Sequence, residues 1–267
     1  MSRIEKRFEQ LRSRNEKALV AFITAGDPDL ESTRKLFAAL EKGGADIVEL
    51  GVPFSDPLAD GPVIQKAALR ALKSGTSLKK IIALVAGIRR ESQLPIVLMT
   101  SFNPVFVYGA NRFVDDAVQA GVDGIIVPDL PPEEAGELES YSRQKGLDMI
   151  FLLAPTSTEA RVKRIGNLSR GFIYYVSLTG TTGTRDRLAD GLKEKVEGIK
   201  KATPLPVLVG FGISGPEQAG KAAKISDGVV VGSAIARLVE ECQDPVEREK
   251  QVISFVKEVK RAVLGSG

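Results

Sequence analysis

Short apolar runs rich in β-branched residues recur along the chain, separated by amphipathic stretches. The runs Leu19–Thr24, Ile47–Leu50, Ile96–Thr100, Gly124–Val127, Met149–Leu153, Phe172–Ser177, Val207–Phe211 and Gly228–Val231 predict strands. Most are almost continuously apolar, as parallel strands covered on both faces require. Many run into Gly, Pro, Asp, Ser or Thr, whose backbone preferences make turns. Leu36, Ala39 and Leu40 share one face of the first intervening helical stretch. Leu78, Ile81, Ile82, Val85 and Ile88 repeat at helical spacing in the second, with Lys79, Lys80 and Arg89 expected on the solvent side. Ser32, Ser77, Ser157 and Ser214 are candidate helix-start residues. Ile4, Phe8 and Leu11 predict an extra N-terminal helix, placed to close the bottom of a barrel.

Strand–helix alternation without a long linker predicts an α/β fold: a (β/α)8 TIM barrel formed by residues 1–267 as a single domain. An open doubly wound sheet is the rival, because periodicity carries no information on closure. In a barrel, chemistry sits on the loops that follow the strands, so the search for function narrows to those junctions.

Composition removes several functions. Hydrophobic residues make up 43% and charged residues 27% of the chain, enough for a large core. The net charge is +3, the signs are interspersed, and aromatics are only 6%, which leaves no footprint for nucleic acid. Cys242 is the lone cysteine, so no intrachain disulfide forms and a reducing, cytoplasmic setting is expected. The N-terminal stretch lacks the apolar core of a signal peptide, and no run is long enough to span a bilayer. There is no histidine, which excludes Ser-His-Asp hydrolysis, imidazole acid–base chemistry and histidine metal sites. None of the strands contains Lys, which argues against an imine-forming aldolase. Neither metal nor cofactor is expected, and proton transfer must rest mainly on carboxylates.

Two junctions have the character of an anion grip. One reads Val209-Gly210-Phe211-Gly212-Ile213-Ser214 and the other Val231-Gly232-Ser233-Ala234-Ile235. Glycines admit close backbone approach, and free N–H groups at a helix start supply donors. The loop Gly180-Thr181-Thr182-Gly183-Thr184 adds a third. Tight turns alone would explain one such loop; the strand-seven and strand-eight pair favours phosphate. Glu49 interrupts an apolar strand at its C-terminal end, where burial is costly unless the carboxyl pairs, protonates or serves a site. In the loop that follows, Asp60 is a candidate to reach back toward Glu49, whereas spacing alone leaves Asp56 a turn or cap residue. Phe22 and Tyr174 read either as core or as the wall of an aromatic pocket, and Asp129 as a brace for its turn.

The stretch Glu49-Leu-Gly-Val-Pro-Phe-Ser-Asp-Pro-Leu-Ala-Asp-Gly-Pro62 resembles the signature of the tryptophan synthase α-subunit family. The resemblance extends over essentially the whole chain, including Thr24-Ala25-Gly26-Asp27-Pro28 and Asn103-Pro104. It implies retro-aldol cleavage of indole-3-glycerol phosphate to indole and glyceraldehyde 3-phosphate, a step in tryptophan biosynthesis. It further implies Glu49 as acid/base, Asp60 as partner of the indole N–H, and Gly183, Gly212, Gly232 and Ser233 as the phosphate site. Phe22 and Tyr174 would lie near the indole. A pyridoxal-phosphate β subunit would complete an α2β2 heterotetramer, docking on a rim of Pro53, Asp56, Asn103, Phe106 and Pro132. The chain departs from the family's usual pattern at Leu178 and Thr181. A sugar-phosphate isomerase would keep the glycine grip without needing the Glu49 loop. A non-catalytic activating subunit would not need Glu49 and Asp60.

Overall fold

The computed structural model describes residues 1–57, 60–176, 191–210 and 212–265. Among these residues nine strands form one sheet: β1 (Ala18–Thr24), β2 (Ile47–Gly51), β3 (Ile96–Met99), β4 (Gly124–Ile126), β5 (Asp148–Ile150), β6 (Leu152–Leu153), β7 (Ile173–Val176), β8 (Val207–Gly210) and β9 (Gly228–Val231). Every pairing is parallel, and the order is β5-β4-β3-β2-β1-β9-β8-β7-β6. The two ends of that order, β5 and β6, are separated in the chain by Phe151 alone. At Phe151 the strand changes neighbours: its N–H donates to Ser169 Oγ at 3.3 Å and its carbonyl accepts from Tyr174 N at 3.3 Å. The sheet therefore returns on itself, and the barrel is preferred over the open sheet. The single run expected at Met149–Leu153 is split there, and Ser177 and Phe211, expected to end two strands, lie outside the described residues.

Alternation along the strands sorts side chains into two layers. Ala18, Val20, Ile47, Val97, Tyr174, Leu208 and Val230 point into the barrel. Leu19, Ala21, Ile23, Val48 and Leu50 point outward beneath the helices. Ile4, Phe8 and Leu11 of the N-terminal helix Arg3–Ser13 join the inner layer, as expected for a bottom plug. Ser2 caps that helix and Glu5 returns the bond to the Ser2 N–H, a reciprocal capping box.

Several helix details differ from the expectations. Ser77 does precede Leu78–Ile88, but Asp29 caps Leu30–Gly43, accepting from Ser32 N at 2.7 Å. Thr158, not Ser157, caps Glu159–Leu168, and Gly215 rather than Ser214 precedes Pro216–Ala223. Arg89 turns inward instead of facing solvent. It donates to the carbonyls of Gly121 and Leu94 and to Asp123, so the neighbouring elements supply the partners its charge needs. Asn103, Pro104 and Phe106 lie on a short helix, Phe102–Tyr108, rather than in a loop. Pro104 falls in its first turn, where a missing N–H costs no helical bond. A further helix, Pro62–Lys73, follows directly on the Asp60 loop.

Candidate active site

β2 carries Glu49 with the same parity as the inward-facing Ile47, in register between Phe22 of β1 and Val97 of β3. The side chain is 1% exposed, and neither carboxylate oxygen has a hydrogen-bond partner among the described residues. Burial, and secondarily the charge of Asp60, raises its pKa from 4.5 to about 8. The group is thus mostly protonated at neutral pH, able to give a proton and then take one back.

Asp60 stands just before Gly61, which opens the helix Pro62–Lys73. Its carbonyl accepts from Gln65 Nε2 at 2.8 Å, tying the loop to the first turn of that helix. The side chain is half-buried, and burial raises its pKa above the ordinary carboxylate value. Asp60 and Phe22 both line a cavity of about 340 Å³, together with Thr24, Ile64, Met99 and Asp129. The two carboxyls meet unequal surroundings: Glu49 lies within the barrel and Asp60 at the cavity wall. Asp129 also accepts from Phe102 N at 2.9 Å, so it braces the neighbouring helix Phe102–Tyr108 where the sequence suggested a brace for its own turn.

Tyr174 faces the barrel interior and is 4% exposed. Burial, with Glu49's charge adding to it, holds its phenol well above the usual tyrosine pKa. Small residues make room for both aromatic rings. A Cβ on Gly210 would come 2.5 Å from the Tyr174 Oη, and one on Gly51 would come 2.5 Å from Phe22 Cζ. A Cβ on Gly232 would meet Phe22 Cδ1 at 3.0 Å. Gly232, which the sequence singled out for an anion loop, thus makes room for the Phe22 ring. It precedes the helix Ser233–Glu241, whose first-turn N–H groups have no intrahelical acceptor, and Ser233 is exposed. Gly212, also exposed, adopts φ +78°, a left-handed conformation that favours glycine. Gly183, Leu178 and Thr181 lie outside the described residues.

The residues expected on a docking rim divide in two. Asp56, Asn103 and Phe106 are exposed, Phe106 by 69%, and its neighbour Val107 by 77%. Pro53 and Pro132 are buried. Pro53 is occupied as part of the cavity wall, and Pro132 is tucked within the turn in which Glu134 N and Ala135 N donate to the Pro131 carbonyl. Thr24, which the resemblance included without assigning it a role, lines the cavity. Its buried hydroxyl has no partner among the described residues, and apart from that resemblance its sequence signal is a polar side chain ending an apolar strand. Among the described residues, no three His, Cys, Asp or Glu side chains are grouped to hold a metal ion, and no helix is long and apolar enough to cross a membrane.

A sequence model of the family described as Tryptophan synthase alpha chain matches residues 8–264. The chain belongs to the tryptophan synthase alpha chain family. A tryptophan synthase alpha chain from Geotalea uraniireducens (strain Rf4) is 55% identical over 267 residues, covering 100% of both chains. One from Geobacter sp. (strain M21) is 55% identical over 264 residues, 99% of this chain and 98% of the relative. The crystal structure of tryptophan synthase subunit alpha from Legionella pneumophila str. Paris superposes with a TM-score of 0.90 at 38% identity, covering 98% of each chain. A chain of the tryptophan synthase structure from M. tuberculosis in its aminoacrylate-bound form gives 0.88 at 34% identity, covering 98% of this chain and 100% of that one. Tryptophan synthase alpha chains are lyases that cleave indole-3-glycerol phosphate in tryptophan biosynthesis, and the family normally pairs with a beta subunit.

Proposed function

We propose that Glu49 and Asp60 carry the retro-aldol cleavage of indole-3-glycerol phosphate in this chain, with the indole ring in the cavity beside Phe22. The observation that carries the assignment is Glu49 itself, buried, without a hydrogen-bond partner among the described residues, and raised to about 8. In its neutral form Glu49 delivers a proton to the indole ring carbon that bears the glyceryl chain. The carboxylate so formed takes the proton of the adjacent glyceryl hydroxyl as the carbon–carbon bond breaks. The products are indole and an aldehyde, and Glu49 ends protonated as it began. Positive charge develops on the indole nitrogen when the ring carbon is protonated. Asp60, in its ionised form, accepts the indole N–H and opposes that charge.

The phosphate is assigned to Gly212, Gly232, Ser233 and Gly183. The left-handed Gly212 and the helix start at Ser233 support the first three of these positions. A β subunit is assigned to the rim formed by Asp56, Asn103 and Phe106, supported by the exposure of Phe106 and Val107 side by side. Its complex with this chain would be the α2β2 heterotetramer. The reading is tested by supplying the purified chain with indole-3-glycerol phosphate and quantifying both products. Equal amounts of indole and glyceraldehyde 3-phosphate are expected. Loss of substrate without indole would overturn it.

A further inference from the structure

Arg70 lies on the helix Pro62–Lys73, whose Ile64 and Ala68 line the cavity, but it is not itself a cavity-lining residue. Its Nε and Nη2 donate to the two oxygens of Asp27 at 2.7 and 2.8 Å, a two-point fork against a carboxylate that is 3% exposed. Its Nη1 reaches Glu240 Oε1 at 3.2 Å, and Lys66 approaches the same oxygen at 3.7 Å. Each contact belongs to a different part of the site. Asp27 is on the loop after β1, the strand that carries Phe22 and Thr24. Arg70 is on the helix that begins two residues after Asp60, and Glu240 is on the helix that begins at Ser233.

The neighbouring packing follows the same lines. Ile64, Phe22 and Ala236 form one small apolar cluster joining these three elements. Ser74 Oγ, just past the helix, shares its hydroxyl proton between the carbonyls of Ala71 at 2.8 Å and Gly26 at 3.2 Å. Gly26 itself, at φ +90°, is so close to Thr76 that an added Cβ would lie 2.0 Å from Thr76 Oγ1. The β1 loop is thus held at adjacent points to the end of the Asp60 helix.

We infer that Arg70 is a positioning residue for the reaction: a strut fixing the Asp60 helix against both the β1 loop and the helix that opens at Ser233. It touches neither substrate nor reacting atoms and acts by fixing where Asp60 stands relative to Phe22 and the phosphate loop. Displacements of about 1 Å at a reacting centre cost on the order of a hundredfold in rate. The strut should therefore govern kcat more than substrate affinity. Lysine at this position keeps the charge but cannot form the fork. The inference rests on the assignment of Asp60 above.

The test is steady-state cleavage of indole-3-glycerol phosphate by the parent chain, Arg70→Lys and Arg70→Met. Folded fraction is read by circular dichroism, and binding of glycerol 3-phosphate by calorimetry. Arg70→Met should lose at least tenfold in kcat per folded molecule. Its KM and its affinity for glycerol 3-phosphate should stay within threefold of the parent's. Arg70→Lys should fall between the two, losing at least threefold in kcat, and it carries the test if Arg70→Met does not fold. A smaller loss of kcat in the folded variant, or a loss confined to KM, would overturn the inference and leave the functional reading standing. A parent chain that releases no indole would overturn both.

Discussion

A carboxyl held inside a barrel without a hydrogen-bond partner among the described residues lowers stability, and Glu49 shows by how much pH matters. Unfolded, its pKa is near 4.5; folded, burial and Asp60 raise it to about 8. Between those values the unfolded chain has released a proton that the folded chain retains, so stability falls as pH rises through that window. The loss is up to about 1.4 kcal/mol per pH unit. Glu49→Gln removes the titration while keeping the shape. Denaturant unfolding at pH 5, 7 and 8.5 should therefore show the variant gaining on the parent as pH rises, with no further gain above about pH 9. A stability difference independent of pH would contradict the raised pKa. This residue was legible in the sequence because apolar neighbours on both sides announce burial. Thr24 and Arg70 were not. A threonine is ordinary in a strand, and nothing local to Arg70 reveals that Asp27, far away in sequence, comes within 2.7 Å. The burial of Pro53 was not legible for a related reason: a proline in a loop carries no periodicity, so exposure could not be told from burial.

At the scale of elements, the strand starts opposite the site are sealed by carboxylates in a repeated way. Asp46 before β2 accepts from Leu19 N of β1 at 2.7 Å and from Lys260 Nζ at 2.7 Å. Asp123 before β4 accepts from Ile96 N of β3 and from Arg89, both at 2.8 Å. Asp227 before β9 accepts from Val207 N of β8 at 3.0 Å and from Lys200 at 2.6 Å. Each aspartate joins the start of its own strand to the next one in the sheet, and a cation offsets its charge. Asp123→Ala would leave the largely buried Arg89 without its carboxylate, a change worth about 3–5 kcal/mol of stability. Because Asp123 sits at the strand starts, kcat per folded molecule should be unchanged. Thermal unfolding with parallel turnover measurements checks both, and a lowered kcat at full folding would contradict the division of labour. Most strands were legible to within a residue or two, since parallel strands covered on both faces read as apolar runs. The break at Phe151 was not, because it is set by which neighbour each half of the strand meets. Helix starts were harder still, because serine, threonine, aspartate and glycine all serve there, and only geometry selects among adjacent candidates.

Across the whole molecule, the face opposite the strand starts holds the cavity lined by Phe22 and Asp60 and the exposed Phe106 and Val107. Closure of the barrel was not legible in periodicity; it depends on β5 and β6 being consecutive in the chain while pairing with opposite ends of the sheet. Of the residues proposed for a docking rim, Phe106 is exposed and Pro53 and Pro132 are buried. Phe106→Asp should therefore weaken assembly with the β subunit at least tenfold, as desolvating a charge in an apolar contact costs more than about 1.4 kcal/mol. Turnover by the isolated chain should be unaffected. Sedimentation of the mixed subunits measures the first, and unchanged assembly would move the interface to another face. The proposed exchange of protons by Glu49 during carbon–carbon cleavage is open to one decisive measurement: single-turnover indole release from indole-3-glycerol phosphate by parent chain and Glu49→Gln at saturating substrate. The variant is expected to bind substrate with near-parental affinity and to release indole on the order of a hundred to ten thousand times more slowly. Release by Glu49→Gln within a few-fold of the parent rate would contradict it.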